Sequence, residues 1–207
     1  MNNLQTADEW FEKGQESYDN EQYESATEYY TKAIELGYEP LADAYYYRGE
    51  SKYDLGKYEE AIGDYDKVIA LNPSFDVAYG DRGCSKQILG KYKEAILDFD
   101  KAIELDPNYT NAYYNRGVSN GDLGKYKEAI RDFDKVIELD PSYTDAYYNR
   151  GVVYGDVGKD KEAIRDYNKA IELKPNYTNA YNNRGVVYGD VGKYKEEIRD
   201  YDKAIEL

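Results

Sequence analysis

The sequence predicts an all-α chain, a solenoid of antiparallel helix hairpins, and three observations predict it. Glycine recurs every 34 residues at Gly49, Gly83, Gly117, Gly151 and Gly185, and a second series runs Gly56, Gly90, Gly124, Gly158, Gly192. Pro73, Pro107, Pro141 and Pro175 keep the same step. A fixed period of this length marks a repeat array, in which each unit packs only on its neighbours. Between these markers apolar residues recur at spacings of three and four, the period of a helix face.

Taken in order, residues 1–6 are a polar lead, and residues 7–207 form one solenoid of six units (7–41, 42–75, 76–109, 110–143, 144–177 and 178–207). The first unit is one residue longer than the others. The last two differ at five of 30 shared positions, a sign of recent duplication. In the fourth unit Ala112, Tyr113, Arg116, Gly117 and Leu123 define the first helix, and Gly124 suits the left-handed position that stops it. Tyr126, Ala129, Ile130, Phe133, Val136 and Ile137 make one face of the second helix, which Asp140-Pro141 closes. Pro141 and Ser142 are expected to begin the next helix, where a fixed φ and a short hydroxyl suit the first turn. Helices this short depend on packing for stability. Gly117 and Ala129 are expected to let the two backbones approach, with Tyr113 and Phe133 beside the crossing. On that reading Gly117→Leu overpacks the hairpin by about 1–3 kcal/mol.

Composition alone would mislead. Leu, Ile, Val and Phe make up under a fifth of the chain, and the net charge is -15. That combination falls in the disordered range. The missing apolar area comes from 27 tyrosines, whose rings bury well while their hydroxyls stay wet. The acidic balance tells against nucleic acid and against anionic membranes, both of which select Lys and Arg. One cysteine, Cys84, excludes an internal disulfide, and the absence of histidine removes the commonest metal ligand and acid–base group. No cofactor or metal site is expected. The start shows no signal peptide and no stretch approaches a membrane span, so a cytoplasmic protein is the expectation. No phosphate loop occurs, since GKYKEA lacks the needed spacing. Asp98-Phe99-Asp100 lies inside a helical pattern, not in a calcium loop. No enzymatic activity is expected.

Tyr147, Arg150-Gly151, Tyr154, Ala163, Tyr167, Ala170 and Pro175 fall at the places of an aromatic, Leu-Gly, Tyr, Ala, aromatic, Ala and Pro pattern. In this, residues 7–207 closely resemble the tetratricopeptide repeat. Two departures stand out. Arg48, Arg82, Arg116, Arg150 and Arg184 replace the leucine, and Glu197 replaces the small residue of the last hairpin, which tells against its tight closure. The resemblance implies a right-handed superhelix whose concave face is lined by the first helix of each hairpin, and a protein or peptide partner.

Read from the residues, the first helices of the last three units carry a column of Asn115, Asn149 and Asn183. Beside it run Val118, Val152 and Val186, then Gly121, Gly155 and Gly189, then Asp122, Asp156 and Asp190. Positions three apart share a helix face. Asparagine offers a donor and an acceptor to a peptide backbone. The column resembles the asparagine ladder of the O-GlcNAc transferase repeat domain. The aspartates, with Asp145, favour Lys or Arg, on which Tyr114 and Tyr148 are placed to stack. These residues predict a groove for an extended polar or basic peptide. The bland alternatives are solvated polar surface for the asparagines and close hairpin packing for the glycines. Ion pairing with nearby aspartates (Asp98/Asp100, Asp132/Asp134) is the alternative for the arginines.

The first half differs, with Tyr47 and Asp81 in the asparagine column. The places where relatives grip a C-terminal carboxylate hold Phe11, Gln15, Tyr47, Val77 and Asp81, none of them cationic, which argues against a chaperone-type clamp. The sixth unit keeps Tyr194, Ile198, Tyr201, Ile205 and Leu207 in its second helix. An apolar outer face there suggests a truncated array or, as the alternative function, homo-oligomerisation by end-to-end stacking.

Overall fold

The protein was analysed as a computed structural model that describes residues 5–207; positions 1–4 of the polar lead lie outside the described residues. Twelve helices and no strand occur among the described residues. They fall into two compact units, divided in the chain between Pro107 and Asn108. The first unit holds α1 (Ala7–Asp19), α2 (Tyr23–Glu35), α3 (Leu41–Asp54), α4 (Tyr58–Leu71), α5 (Asp76–Ile88) and α6 (Tyr92–Leu105). The second holds α7 (Thr110–Asp122), α8 (Tyr126–Leu139), α9 (Thr144–Asp156), α10 (Asp160–Leu173), α11 (Thr178–Asp190) and α12 (Tyr194–Glu206). In each unit odd and even helices pair as hairpins, and each even helix packs on the odd helix that follows. This is the all-α hairpin architecture the period predicts.

The glycine series does what its spacing predicts. Gly56, Gly90, Gly124, Gly158 and Gly192 all sit at φ 70–76°. At Gly124 the backbone N–H donates to the Gly121 carbonyl (2.8 Å) and that of Lys125 to Asn120 (2.8 Å), satisfying two orphan carbonyls of α7. The proline turns depart from expectation. Pro141 and Ser142 precede α9 and lie outside its first turn. The Asp140 side chain folds over them, accepting from the Ser142 N–H (2.9 Å) and hydroxyl (2.6 Å). An aspartate before proline can close such a turn locally, and that competes with starting a helix there.

The other glycine series makes room for a ring. A Cβ on Gly117 would lie 2.9 Å from Cε1 of Phe133, and the same holds for Gly49 against Tyr65, Gly83 against Phe99 and Gly151 against Tyr167. The partner that the missing side chain accommodates is therefore the aromatic of the second helix, not Ala129. The last hairpin closes like the rest: the Gly185 Cβ would meet Tyr201 at 2.9 Å. Glu197 does not prevent this, because its chain turns away and sets its carboxylate against Gly189. No helix among the described residues is long and apolar enough to cross a membrane.

Candidate functional site

The arginines that replace leucine fix each hairpin to its neighbour. Arg150 on α9 donates to Asp166 on α10 from Nε (2.6 Å) and Nη2 (2.9 Å), and reaches back to Asp134 on α8 (2.5 Å). Arg82 repeats this with Asp98 and Asp66, and Arg184 with Asp200 and Asn168. Arg48 pairs with Asp64 and Thr31, and Arg116 with Asp132. These are not surface pairs, since the facing Asp64, Asp98, Asp132, Asp166 and Asp200 are all buried. Burial by itself pulls the Arg150 pKa down, but the hydrogen bonds and charge of Asp166 and Asp134 outweigh it, so the net direction is up. One guanidinium thus ties three helices, and the ion pairing expected of Arg82, Arg116 and Arg150 is what the structure shows.

With those side chains committed to packing, the opposite face of the odd helices is left. In the second unit the predicted columns line two equivalent cavities one repeat apart. Val118, Gly121, Asp122, Asn149, Val152 and Asp156 border a cavity of about 140 Å³ between α7 and α9, floored by Phe133 and Val153. Val152, Gly155, Asp156, Asn183, Val186 and Asp190 border one of about 290 Å³ between α9 and α11, floored by Tyr167 and Val187. Neither is lined by a Lys or Arg. The glycines leave this space open: a Cβ on Gly121 or Gly155 would find its nearest neighbour, a valine methyl of the next hairpin, only at 3.9–4.0 Å.

The asparagines have a further task that the sequence reading missed. Asn149 donates to the Tyr114 hydroxyl (2.8 Å) and Asn183 to that of Tyr148 (3.0 Å), each bond joining one hairpin to the next. Asn115 lies in the same column of α7. Tyr114 and Tyr148 are therefore packing residues, outside the residues that border the two cavities. Their rings sit 5.1 Å from Tyr143 and 5.0 Å from Tyr177, tilted, and burial pushes the Tyr114 hydroxyl up to about 12. Asp145 is exposed and accepts from the Tyr177 hydroxyl at 2.7 Å. It belongs with those tyrosines, outside the residues bordering the two cavities.

Asp160 is the site residue that was missed. It lines the larger cavity and adds a third carboxylate to Asp156 and Asp190. It was legible as a departure, because every other unit has tyrosine there (Tyr23, Tyr58, Tyr92, Tyr126, Tyr194).

The first unit fills the corresponding columns differently. Glu50 on α3 stands in the valine column, and Asp81 and Cys84 on α5 in the asparagine and valine columns. Tyr46 donates to Asp81 (3.0 Å), the equivalent of the Tyr114–Asn149 bond, and Tyr65 donates to Glu50. Burial and the neighbouring Glu50 charge raise the Asp81 carboxyl to about 7, while the Tyr46 hydrogen bond works the other way. Burial also raises Glu50, with Asp54 adding to the effect and Tyr65 opposing it. The Cys84 thiol is pushed up to about 12 by burial and by Asp81 and Glu50, which makes it an inert side chain of α5. No group of acidic or cysteine side chains among the described residues is arranged to hold a metal ion.

Of the residues expected on an exposed end face, Tyr194, Ile198, Ile205 and Leu207 are exposed, Ile205 by 85%. Tyr201 is not one of them, because its ring fills the space beside Gly185 inside the last hairpin.

Family patterns described as "TPR repeat" match residues 88–124 and 121–158. Others described as "Tetratricopeptide repeat" match 42–75 and 144–177, 166–206, and 1–36. No curated protein matches the chain in sequence. Among solved structures the chain is similar to MamA, at 32% identity over 76% of this chain and 92% of that one, with a TM-score of 0.73. It is similar to YrrB, described as a TPR protein with an unusual peptide-binding site, at 28% identity over 86% and 91%, with a TM-score of 0.72. A repeat protein from Parabacteroides merdae shares the fold at 23% identity over 97% and 79%, with a TM-score of 0.84.

Proposed function

The chain belongs to the tetratricopeptide-repeat family, a protein-interaction scaffold, and we propose that its second unit holds an extended basic peptide segment across the faces of α7, α9 and α11. The observation that carries this is the pair of cavities one repeat apart, each with a valine and aromatic floor and a carboxylate rim. At about 140 and 290 Å³ they fall below the roughly 300–1,000 Å³ of small-molecule sites, which suits one side chain each. A lysine or arginine stem lies on the valines while its head meets Asp122 and Asp156, or Asp156, Asp160 and Asp190. The asparagine Oδ1 atoms then accept from the peptide backbone, since the amide nitrogens already serve the tyrosines. YrrB, described as having an unusual peptide-binding site, supports a peptide ligand on this kind of scaffold.

Asp156→Asn with Asp190→Asn tests this better than alanine at the asparagines, which would also cut the Tyr114 and Tyr148 bonds. We expect a lysine-rich peptide selected from a random library to lose at least tenfold in affinity. Equal binding by the double variant refutes the reading. A second reading, end-to-end self-association, is favoured by the exposure of Tyr194, Ile198 and Ile205 on α12. Sedimentation velocity across concentration separates the two readings: a monomer throughout removes the second.

A further inference from the structure

Within each unit an even helix is covered by the odd helix that follows it. Among the described residues α12 keeps the same face without that cover: Tyr194, Ile198 and Ile205 are 66%, 60% and 85% exposed. Beside them Tyr201 and Ala204 are half-buried, whereas their counterparts Tyr167 and Ala170 on α10 are buried. Positions 194, 198, 201 and 205 alternate steps of four and three, the spacing of a seam between two helices. Lys195 and Asp202 border one flank of that seam. Both are exposed, and seven residues apart they lie on the same side of the helix, two turns from each other. Asp202 holds the position at which Asp66 and Asp134 take the arginine of the next hairpin.

We propose that α12 pairs antiparallel with α12 of a second copy, about a twofold axis, in a closed tail-to-tail dimer. This rests on the self-association reading above and gives it a geometry. Tyr194 then lies against Ile205 of the second copy and Ile198 against its Tyr201, and the axis repeats each contact. On the flank Lys195 faces Asp202 of the second copy, and Asp202 faces its Lys195. A positive charge with a negative one two turns on matches its own copy only when the two helices run in opposite directions. Run in parallel, they would set like charges together. Glu197 borders the other flank with its carboxylate against Gly189, so it opposes a tight seam. One helix pair is also at the small end of specific interfaces. The dimer is therefore expected to be weak, in the micromolar range.

The other end of the array tells against head-to-tail stacking. Each seam inside a unit sets a buried alanine of the odd helix on the even helix before it. Ala44 packs with Ala26, Tyr30 and Ala33, and Ala146 with Ala129, Phe133 and Val136. In α1 that column holds Glu9, whose carboxylate accepts from the Thr6 N–H at 2.9 Å as part of the helix cap. An α12 arriving on α1 would bury this charge, which costs more than the seam returns. The α12 face of a second copy brings no such charge into the middle of the seam.

The test is sedimentation velocity of the full chain from low micromolar to near-millimolar concentration. In about 0.15 M salt the repulsion between copies of net charge -15 reaches only about 8 Å. A monomer–dimer equilibrium that saturates at two chains is expected. Ile198→Glu with Ile205→Glu, both at exposed positions, should raise the dissociation constant at least tenfold. Lys195→Glu alone and Asp202→Lys alone should each weaken the dimer by about threefold or more. Both exchanges on one chain should restore it, because the twofold axis brings each reversed charge back onto an opposite one. Growth beyond two chains, or a double exchange that fails to restore the dimer, overturns the tail-to-tail geometry and leaves end-to-end association standing. An unchanged dimer in Ile198→Glu with Ile205→Glu places the contact elsewhere and overturns the proposal. A monomer at every concentration overturns both readings and leaves the face to a helix of another protein.

Discussion

Asp81→Asn is expected to stabilise the first unit at neutral pH and to flatten its dependence on pH. Asp81 faces Glu50, Tyr46 and Tyr53 from α3, Tyr65 from α4 and Cys84 on its own helix. None of these supplies a positive charge. Its carboxyl, raised from 3.8 to about 7, keeps a proton in the folded state that the unfolded chain releases. Stability is therefore full below about pH 4, falls as pH rises from about 4 to 7, and is flat above that. A three-unit shift sets an upper limit of about 4 kcal/mol. Residual access of water, and Glu50, whose own raised carboxyl can hold the proton in its place, reduce the expected loss to about 1–2 kcal/mol. Asparagine removes the titration and keeps the bond, because Asn149–Tyr114 and Asn183–Tyr148 already use that pair at the equivalent position. The assay is thermal unfolding followed through Trp10, the chain's one tryptophan, which sits in α1 and reports the first unit. At pH 8 the midpoint should rise by about 2–8 °C, at about 2–4 °C per kcal/mol for a chain of this size. At pH 3.5, below the unfolded value of 3.8, wild type and variant should come closest. A lower midpoint at pH 8, or an unchanged slope between pH 4.5 and 7.5, refutes the reasoning.

Gly117→Ala should cost about 1–3 kcal/mol, because its Cβ meets Phe133 at 2.9 Å, and Gly117→Leu should cost more. Gly121→Ala, with its nearest neighbour at 3.9 Å, should instead gain up to about 1 kcal/mol of helix propensity; urea unfolding ranks the two. Asp166→Ala removes the buried partner of Arg150 and should destabilise the second unit by about 3–5 kcal/mol, seen as a lower denaturation midpoint. Glu197→Ala should promote end-to-end association measurable by sedimentation velocity. Its carboxylate lies 2.8 Å from where a Cβ on Gly189 would sit, the direction in which Gly155 meets Val187 of the next hairpin. An incoming helix would have to bury that charge.

The hairpin plan was legible because a 34-residue period repeats the same local signals, and each signal agrees with the others. Gly124 stops a helix whatever the neighbours do. Its backbone needs φ near 70°, and few other residues tolerate that. Pro141 and Ser142 were misplaced because their preference for a first turn is weak, and the Asp140 side chain captures them first. The bonds from Asn149 and Asn183 were not legible for a different reason. Each joins residues 35 apart, and only the offset between stacked hairpins brings an amide of one under a hydroxyl of the other. Glu197 was misjudged because its helix position was read as its destination. A glutamate side chain is long enough to leave the crossing and lie on Gly189 instead.

These errors share a direction, and it bears on where binding residues are to be sought. Positions that point between the two helices of a hairpin are fixed by a ring over a glycine and by a guanidinium over an aspartate. They are not free to vary, even where Phe133 and Tyr167 floor the two cavities. Positions that point along the stack, such as Asn149, Asp81 and Glu197, meet whatever the adjoining hairpin presents, so the same column is amide in one place and carboxylate in another. Changing them alters charge without touching the hairpin's own closure. A repeat scaffold of this kind can therefore acquire an acidic rim at Asp156, Asp160 and Asp190 on an unchanged framework. Exchanging Asp160 for the tyrosine of the other units should therefore weaken capture of a basic peptide and leave the unfolding free energy of the second unit within about 0.5 kcal/mol of wild type.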